Sequence, residues 1–340
     1  MPHWRYQHGI FLLRLMQSET DPAVTDNGAS DAAAGPAALP GAPVTVLILT
    51  YNEEQHLARA IESVRLFAGQ VVVVDSFSTD GTVAIARSLG ATVLQNRWEN
   101  NYARQFNWGL DHAPITGQWV MRLDADEYVT PELAQEIASR LAGLPDGVSG
   151  VYVKRRIHFL GRWIRHGAVY PMWVLRLWRL GYGRCENRWM DEHIRLTDGD
   201  SLRFAHDLVD ENLNDLTWWT DKHNRYAVRE AADLLNLKYR FAAFDAIDTM
   251  AGREQSKIKR WIKERVYAHL PLFARPAGYF VYRYFLRLGF LDGVPGLAWH
   301  VLQGFWYRFL VDAKVYEAER RSGGERDAIV ALVEKEWGLK

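Results

Sequence analysis

From residue 44 onward, short continuous apolar runs alternate with stretches whose apolar positions recur every three or four residues. Val44–Thr50 (VTVLILT) is rich in β-branched residues, the pattern of a strand covered on both faces. Asn52 offers an N-cap and Glu53 and Glu54 suit the positive end of a helix. Leu57, Ile61 and Val64 then form an amphipathic stripe. A second strand over Val71–Val74 is expected to end at Asp75. The turn Ser76–Gly81 leads into a helix through Val83, Ala86 and Leu89, closed by Gly90. A strand at Thr92–Leu94, a helix over Tyr102–His112 and a strand at Trp119–Leu123 ending on Asp124 complete the series. Such alternation predicts an α/β fold with a mostly parallel sheet and right-handed crossovers. Ligands bind beyond the carboxyl ends of such strands, where Asn52, Asp75 and Asp124 all fall.

Beyond Pro131 a helix is expected toward Leu141, followed by a strand start at Val151–Val153 in a basic stretch. From Asp215 the patterns are helical. Residues 18–43 are dominated by Ala, Gly, Pro and Asp and read as a flexible linker. The apolar run Gly9–Met16 is broken by Arg14 and reads as a non-signal extension. The expected division is therefore a flexible extension at 1–43, a catalytic domain at 44–235 and a helical, aromatic and basic region at 236–340.

Charge and composition narrow the function. With 41 Lys+Arg against 41 Asp+Glu the net charge is zero, which argues against a general nucleic-acid binder. Cys185 is the single cysteine, so an intramolecular disulfide and a Cys-based zinc cluster are excluded, and a reducing, cytoplasmic compartment is expected. No apolar run is long enough to span a bilayer. Aromatics crowd the C-terminal third, and Val266–Val311 has one acid, Asp292. Lys257, Lys259, Arg260, Lys263 and Arg265 precede it, and Arg283 and Arg287, four apart, are expected to share a helical face. This pattern predicts interfacial helices on a membrane surface, with packing on the catalytic domain or dimerisation as the rival.

Asp124-Ala125-Asp126 sets two carboxylates on a turn after a buried strand, an oxygen-ligand spacing that suits Mg²⁺ or Mn²⁺ with substrate phosphates. Three segments, ThrTyrAsnGluGlu at 50–54, ValValAspSerPheSerThrAspGlyThr at 73–82 and LeuAspAlaAspGlu at 123–127, together resemble the inverting family 2 glycosyltransferases, which have the GT-A fold. More narrowly, the chain is similar to the branch holding the lipopolysaccharide-core β-1,4-glucosyltransferases. GlyPheLeuAspGly at 289–293, AlaLys at 313–314 and Glu317 resemble that branch's C-terminal region.

The resemblance implies roles residue by residue. Thr50, Tyr51, Asn52 and Glu53 would line the nucleotide-sugar pocket, Asp75 would bond the base, and Asp80 would support the loop. Asp124 would contact the ribose or the metal through water, and Asp126 would ligate the metal. Arg104 and Asn107 would border the sugar and diphosphate. An inverting transfer also needs a base for the acceptor hydroxyl. Glu192 is expected in that role, with Asp191 the fallback, the rival reading being surface pairing with Arg188 or Arg195. His206 is a candidate metal ligand and His193 its rival. Lys222 either reaches a phosphate of donor or acceptor or sits on a solvated helix face, and His193 is a further candidate for such a contact.

The expected function is metal-dependent transfer of a hexose, from a UDP-sugar, to a lipid-linked saccharide at the cytoplasmic face of the bacterial inner membrane. A polyprenyl-phosphate acceptor and a non-catalytic nucleotide-sugar-binding scaffold are the rivals.

Overall fold

The computed structural model describes residues 43–186, 192–242 and 270–339. The parallel half of the sheet follows the apolar runs: β1 (Val44–Thr50), β2 (Ala68–Asp75), β3 (Thr92–Gln95) and β4 (Trp119–Asp124) lie in the order β3-β2-β1-β4, all parallel. The α/β architecture is as expected, with a sheet more mixed than the apolar runs suggest. Beyond β4 the order continues β8 (Met172–Arg179), β6 (Val148–Phe159), β11 (Asp200–Glu211) and β5 (Glu127–Val129), and β7 (Arg162–Ile164) pairs with β6. β8 is antiparallel to both β4 and β6, and β6 and β11 are parallel to each other. Two reversals restore direction, so β6 and β11 run the same way as β1 and β4. The carboxyl ends of all these strands therefore meet at one sheet edge. A small hairpin of β9 (Gly183–Cys185) and β10 (Ile194–Leu196) stands apart.

Helices α1 (Leu57–Val64), α2 (Thr82–Ser88) and α4 (Pro131–Arg140) cover one sheet face, where Leu57, Ile61, Ala86, Leu133 and Ile137 pack on Val46, Ile48 and Met121. The first helix begins at Leu57, and its N-cap position is His56. Asn52 is in the left-handed region at φ +55° and belongs to the preceding turn. On the other face lies α3 (Tyr102–His112), capped by Asn101, whose side chain accepts from the Arg104 amide at 2.9 Å. Gly109 lets this helix approach closely, since a Cβ there would stand 2.8 Å from Val74 Cγ2.

Helix α5 (Leu216–Tyr239) starts on the Asp215 cap and packs Ala227, Ala231 and Leu235 on Tyr307, Val311 and Val315 of the helix Tyr307–Ser322. The domain boundary expected at 235 therefore falls inside a helix that shares a core with the C-terminal region. A further cluster joins Phe159, Ile164 and Trp219 to Trp299. Arg283 and Arg287 do not share a face: Arg283 is buried and donates to the Gly167 carbonyl at 2.9 Å, while Arg287 is exposed. The turn between them, Tyr282–Leu286, is π-helical, which breaks the four-residue repeat. The expected basic run 257–265 lies outside the described residues.

Candidate active site

Two loops at the edge are bound to each other by reciprocal bonds. The Asn52 amide donates to Ser78 Oγ at 2.9 Å, and its side-chain oxygen accepts from the Thr79 amide at 2.9 Å. The Glu53 amide donates to Thr82 Oγ1 and the Glu54 amide to Asp80 Oδ2, while Glu54 Oε2 accepts from the Gly81 amide at 2.8 Å. Asp80 thus ties the two loops together. Against a burial penalty that would raise its pKa, hydrogen bonds from Thr82 and from the Glu54 and Asp80 amides hold its carboxyl below the usual value.

Asp75, at the end of β2, is fully buried. Its Oδ1 accepts from Thr50 Oγ1 (3.1 Å) and Ser78 Oγ, and its Oδ2 from the Ser78 amide (3.0 Å) and Gln95 Nε2 (3.1 Å). Those bonds use the acceptor sites of a carboxylate, so Asp75 shapes the turn rather than presenting a free oxygen to a base. Tyr51 stands exposed at the rim. Glu53 accepts from His56 Nδ1 at 2.7 Å, and the Leu213 amide donates to His56 Nε2 at 2.9 Å. The second bond requires a bare Nε2 and so assigns the proton to Nδ1.

Asp124 is held by cations. Tyr102 Oη donates to its Oδ1 at 2.6 Å, Arg122 Nε lies 3.2 Å from Oδ1, and Arg176 Nη2 donates to Oδ2 at 3.1 Å. Burial alone would raise its pKa, but Arg122 and Arg176 hold it far below the usual carboxylate range. Arg176 also contacts Glu127, and Arg155 bridges Glu127 (3.7 Å) and Asp210 (3.6 Å). Burial, reinforced by neighbouring carboxylates, pushes Glu127 up to about 7 and Asp210 up to about 6.

Asp126 is half-buried at the turn, with Oδ2 accepting from Asn212 Nδ2 at 3.0 Å and lying 3.9 Å from Lys222 Nζ. Arg59 fixes the backbone here: its Nη2 donates to the carbonyls of Asp126 (3.4 Å) and Glu211 (2.6 Å). Lys222 comes from α5 and lies over the ring of Trp218 at 4.6 Å. It is directed at the site, not into solvent.

The remaining candidates divide. The Glu192 carbonyl accepts from Arg122 Nη1 at 3.4 Å, and the charge of Glu192 helps raise the pKa of Tyr226 and Cys185. Arg195, a partner for Glu192 or Asp191 in the rival reading, lies 2.6 Å from Glu186. Asp191 and Arg188 lie outside the described residues. His193 is exposed and 3.3 Å from Glu186. Asn107 holds the β9 backbone with its amide group, through the Cys185 carbonyl (2.8 Å) and amide (3.0 Å). Arg104 is exposed on the first turn of α3 and 3.6 Å from Glu99. His206 meets Glu136. It sits where the β6–β11 register shifts, and its Nδ1 is 2.8 Å from Glu136 on α4. Glu127, Asp210, Arg59, Arg122, Arg155 and Arg176 carry much of the site's charge and were not assigned from the sequence.

Among the described residues no group of three His, Cys, Asp or Glu is arranged to chelate a cation. The residues do fit an ion held by Asp126 with substrate phosphates and water, the usual mode for Mg²⁺.

This geometry accords with the comparisons: residues 45–205 match the family described as glycosyl transferase family 2. The chain carries a family 2 glycosyl transferase domain. Over 296 residues, 82% of this chain and 94% of the relative, it is 28% identical to the lipopolysaccharide core biosynthesis glycosyltransferase LpsC of Rhizobium meliloti. This agrees with the branch that the C-terminal segments resemble. Over 94 residues it is 42% identical to an uncharacterized glycosyltransferase of Rickettsia typhi, a match that spans 28% of this chain and about a third (31%) of that relative. A crystal structure of glucosyl-3-phosphoglycerate synthase from Mycobacterium tuberculosis is 23% identical over 34% of this chain and 45% of that one, with a TM-score of 0.28.

Proposed function

We propose that the chain is an inverting glycosyltransferase that moves a hexose from a nucleotide sugar, UDP-linked, to a lipid-linked saccharide of the lipopolysaccharide core at the cytoplasmic face of the inner membrane. The observation that carries this reading is the meeting of Asp126, Lys222 and the cation-bound Asp124 at one sheet edge. The likeness to LpsC along most of both chains supports the acceptor class.

In this mechanism the Glu192 carboxylate takes the proton of the acceptor hydroxyl as its oxygen attacks the anomeric carbon. The bond to the diphosphate breaks on the opposite side, its electron pair leaves with the diphosphate, and the anomeric configuration inverts. Lys222, a half-buried cation, faces the charge that grows on the leaving group. Arg122 and Arg176 keep Asp124 ionised, and Tyr102 orients it. A divalent cation bound at Asp126 supplies charge against the diphosphate.

The test is a donor screen with Mg²⁺ or Mn²⁺, following donor hydrolysis and thermal stabilisation. A metal-dependent response to one UDP-sugar, lost in Asp126→Ala without loss of fold, is expected. Full activity in Asp126→Ala would remove the metal assignment, and no response to any donor would favour a non-catalytic scaffold.

A further inference from the structure

We infer that the corner formed by residues 281–297 is a lipid-contact surface that seats the enzyme on an anionic bilayer, with its active edge beside the membrane. Leu286 is 72% exposed and Val294 79%, and Phe285, Leu288, Phe290 and Leu291 are exposed around them. Single exposed apolar residues are ordinary, whereas a contiguous group of this kind marks an interaction surface.

The surface is apolar because its polar groups turn inward. The Asp292 carboxylate is buried and accepts from the Arg165 amide (3.0 Å), the His166 amide (2.8 Å) and His166 Nδ1 (2.6 Å). Arg283 is spent on the Gly167 carbonyl, and Arg275 pairs with the buried Asp312. Asp292 is the only carboxylate between 271 and 300, so Arg287 is left as the one exposed charge of that stretch.

Those internal bonds also place the corner. Asp292 grips the turn after β7, and Trp299 meets Phe159 at the end of β6 with ring centroids 5.2 Å apart. The end of β6 adjoins the site, because His158 lies 3.4 Å from Glu211, whose backbone Arg59 ties to that of Asp126. Corner and site thus share the sheet edge.

Charge selects the occupant. A two-fold contact between copies would set Arg287 of one patch near Arg287 of another, with no exposed carboxylate between 271 and 300 to meet either. Anionic headgroups supply the missing negative charge, and the sequence run Lys257, Lys259, Arg260, Lys263 and Arg265 adds to the attraction. No helix among the described residues is long and apolar enough to cross a membrane, so the corner lies in the headgroup layer.

The test is co-sedimentation of the full chain, without donor, with phosphatidylethanolamine vesicles lacking or containing phosphatidylglycerol. Because no turnover is read, the result is independent of the glycosyl-transfer reading. The wild type should bind the anionic vesicles more tightly. Joint Leu286→Glu and Val294→Glu substitution should weaken partitioning by at least roughly tenfold, with an unchanged circular-dichroism melt. The milder Leu286→Ser with Val294→Ser pair serves if the glutamates disturb folding. Arg287→Glu should reduce binding to the anionic vesicles only. Absence of vesicle binding by the wild type, or binding untouched by the paired variants, overturns the inference. So does a concentration-dependent dimer that the same variants dissociate while lipid binding stays absent.

Discussion

Lys222 Nζ stands 3.9 Å from Asp126 Oδ2, a helix-borne ammonium aimed at the carboxylate beyond the end of β4. Burial works against its charge, but Tyr226, Asp126, Glu53 and Asp210 outweigh that and raise its pKa above the usual lysine value. It is therefore a permanent cation beside the proposed diphosphate position. Lys222→Met should lower kcat by about 10²–10³-fold at saturating donor, with Lys222→Arg recovering part of it. Thermal melts check that both variants fold. If Lys222→Met keeps its kcat, the residue belongs to the helix surface and not to leaving-group stabilisation.

Arg176 is buried between Asp124 and Glu127, so its removal takes from both carboxylates a cation that offsets the cost of their burial. Arg176→Met should cost about 3–5 kcal/mol in urea unfolding, the range for breaking a buried ion pair. A loss below about 1 kcal/mol would show that water reaches the network as it does a surface pair.

His300 is fully buried, and neither ring nitrogen has a hydrogen-bond partner. Burial, with Arg283 beside it, lowers its pKa to about 4 from an ordinary 6.5. In the window between those values the unfolded chain takes up a proton that the folded chain refuses, so the contribution of His300 to stability is lost as pH falls from about 6.5 to 4. His300→Leu should flatten the pH dependence of Tm across that window relative to the wild type. Parallel curves for the two proteins would show that another group governs acid stability.

The parallel half of the fold was legible because β1, β2 and β4 are buried on both faces and read as unbroken apolar runs. The second half was not. β6 carries Lys154, Arg155 and Arg156 and β8 carries Arg176, which interrupt the strand pattern and make the segment read as merely basic. Their partners are distant in sequence: Arg156 pairs with Asp207 at 2.6 Å and Arg155 reaches Asp210. A charge neutralised across strands looks, in one dimension, like a solvated one.

The site divides similarly. Asp124 and Asp126 follow a clear strand, whereas Asp210 emerges only once β11 lies against β5 and β6. The acids of AspLeuValAspGlu at 207–211 were its one sequence signal. His206 lies in the stretch where the β6–β11 register shifts, and its ring meets Glu136, a contact that no spacing rule anticipates.

The cross-bonded loops at 51–54 and 76–82 make their mutual bonds within the chain itself, without help from a ligand. Ordering them is part of folding, so under the proposed function a nucleotide would meet a cradle already formed, and its contact energy would not be diverted into organising the receptor.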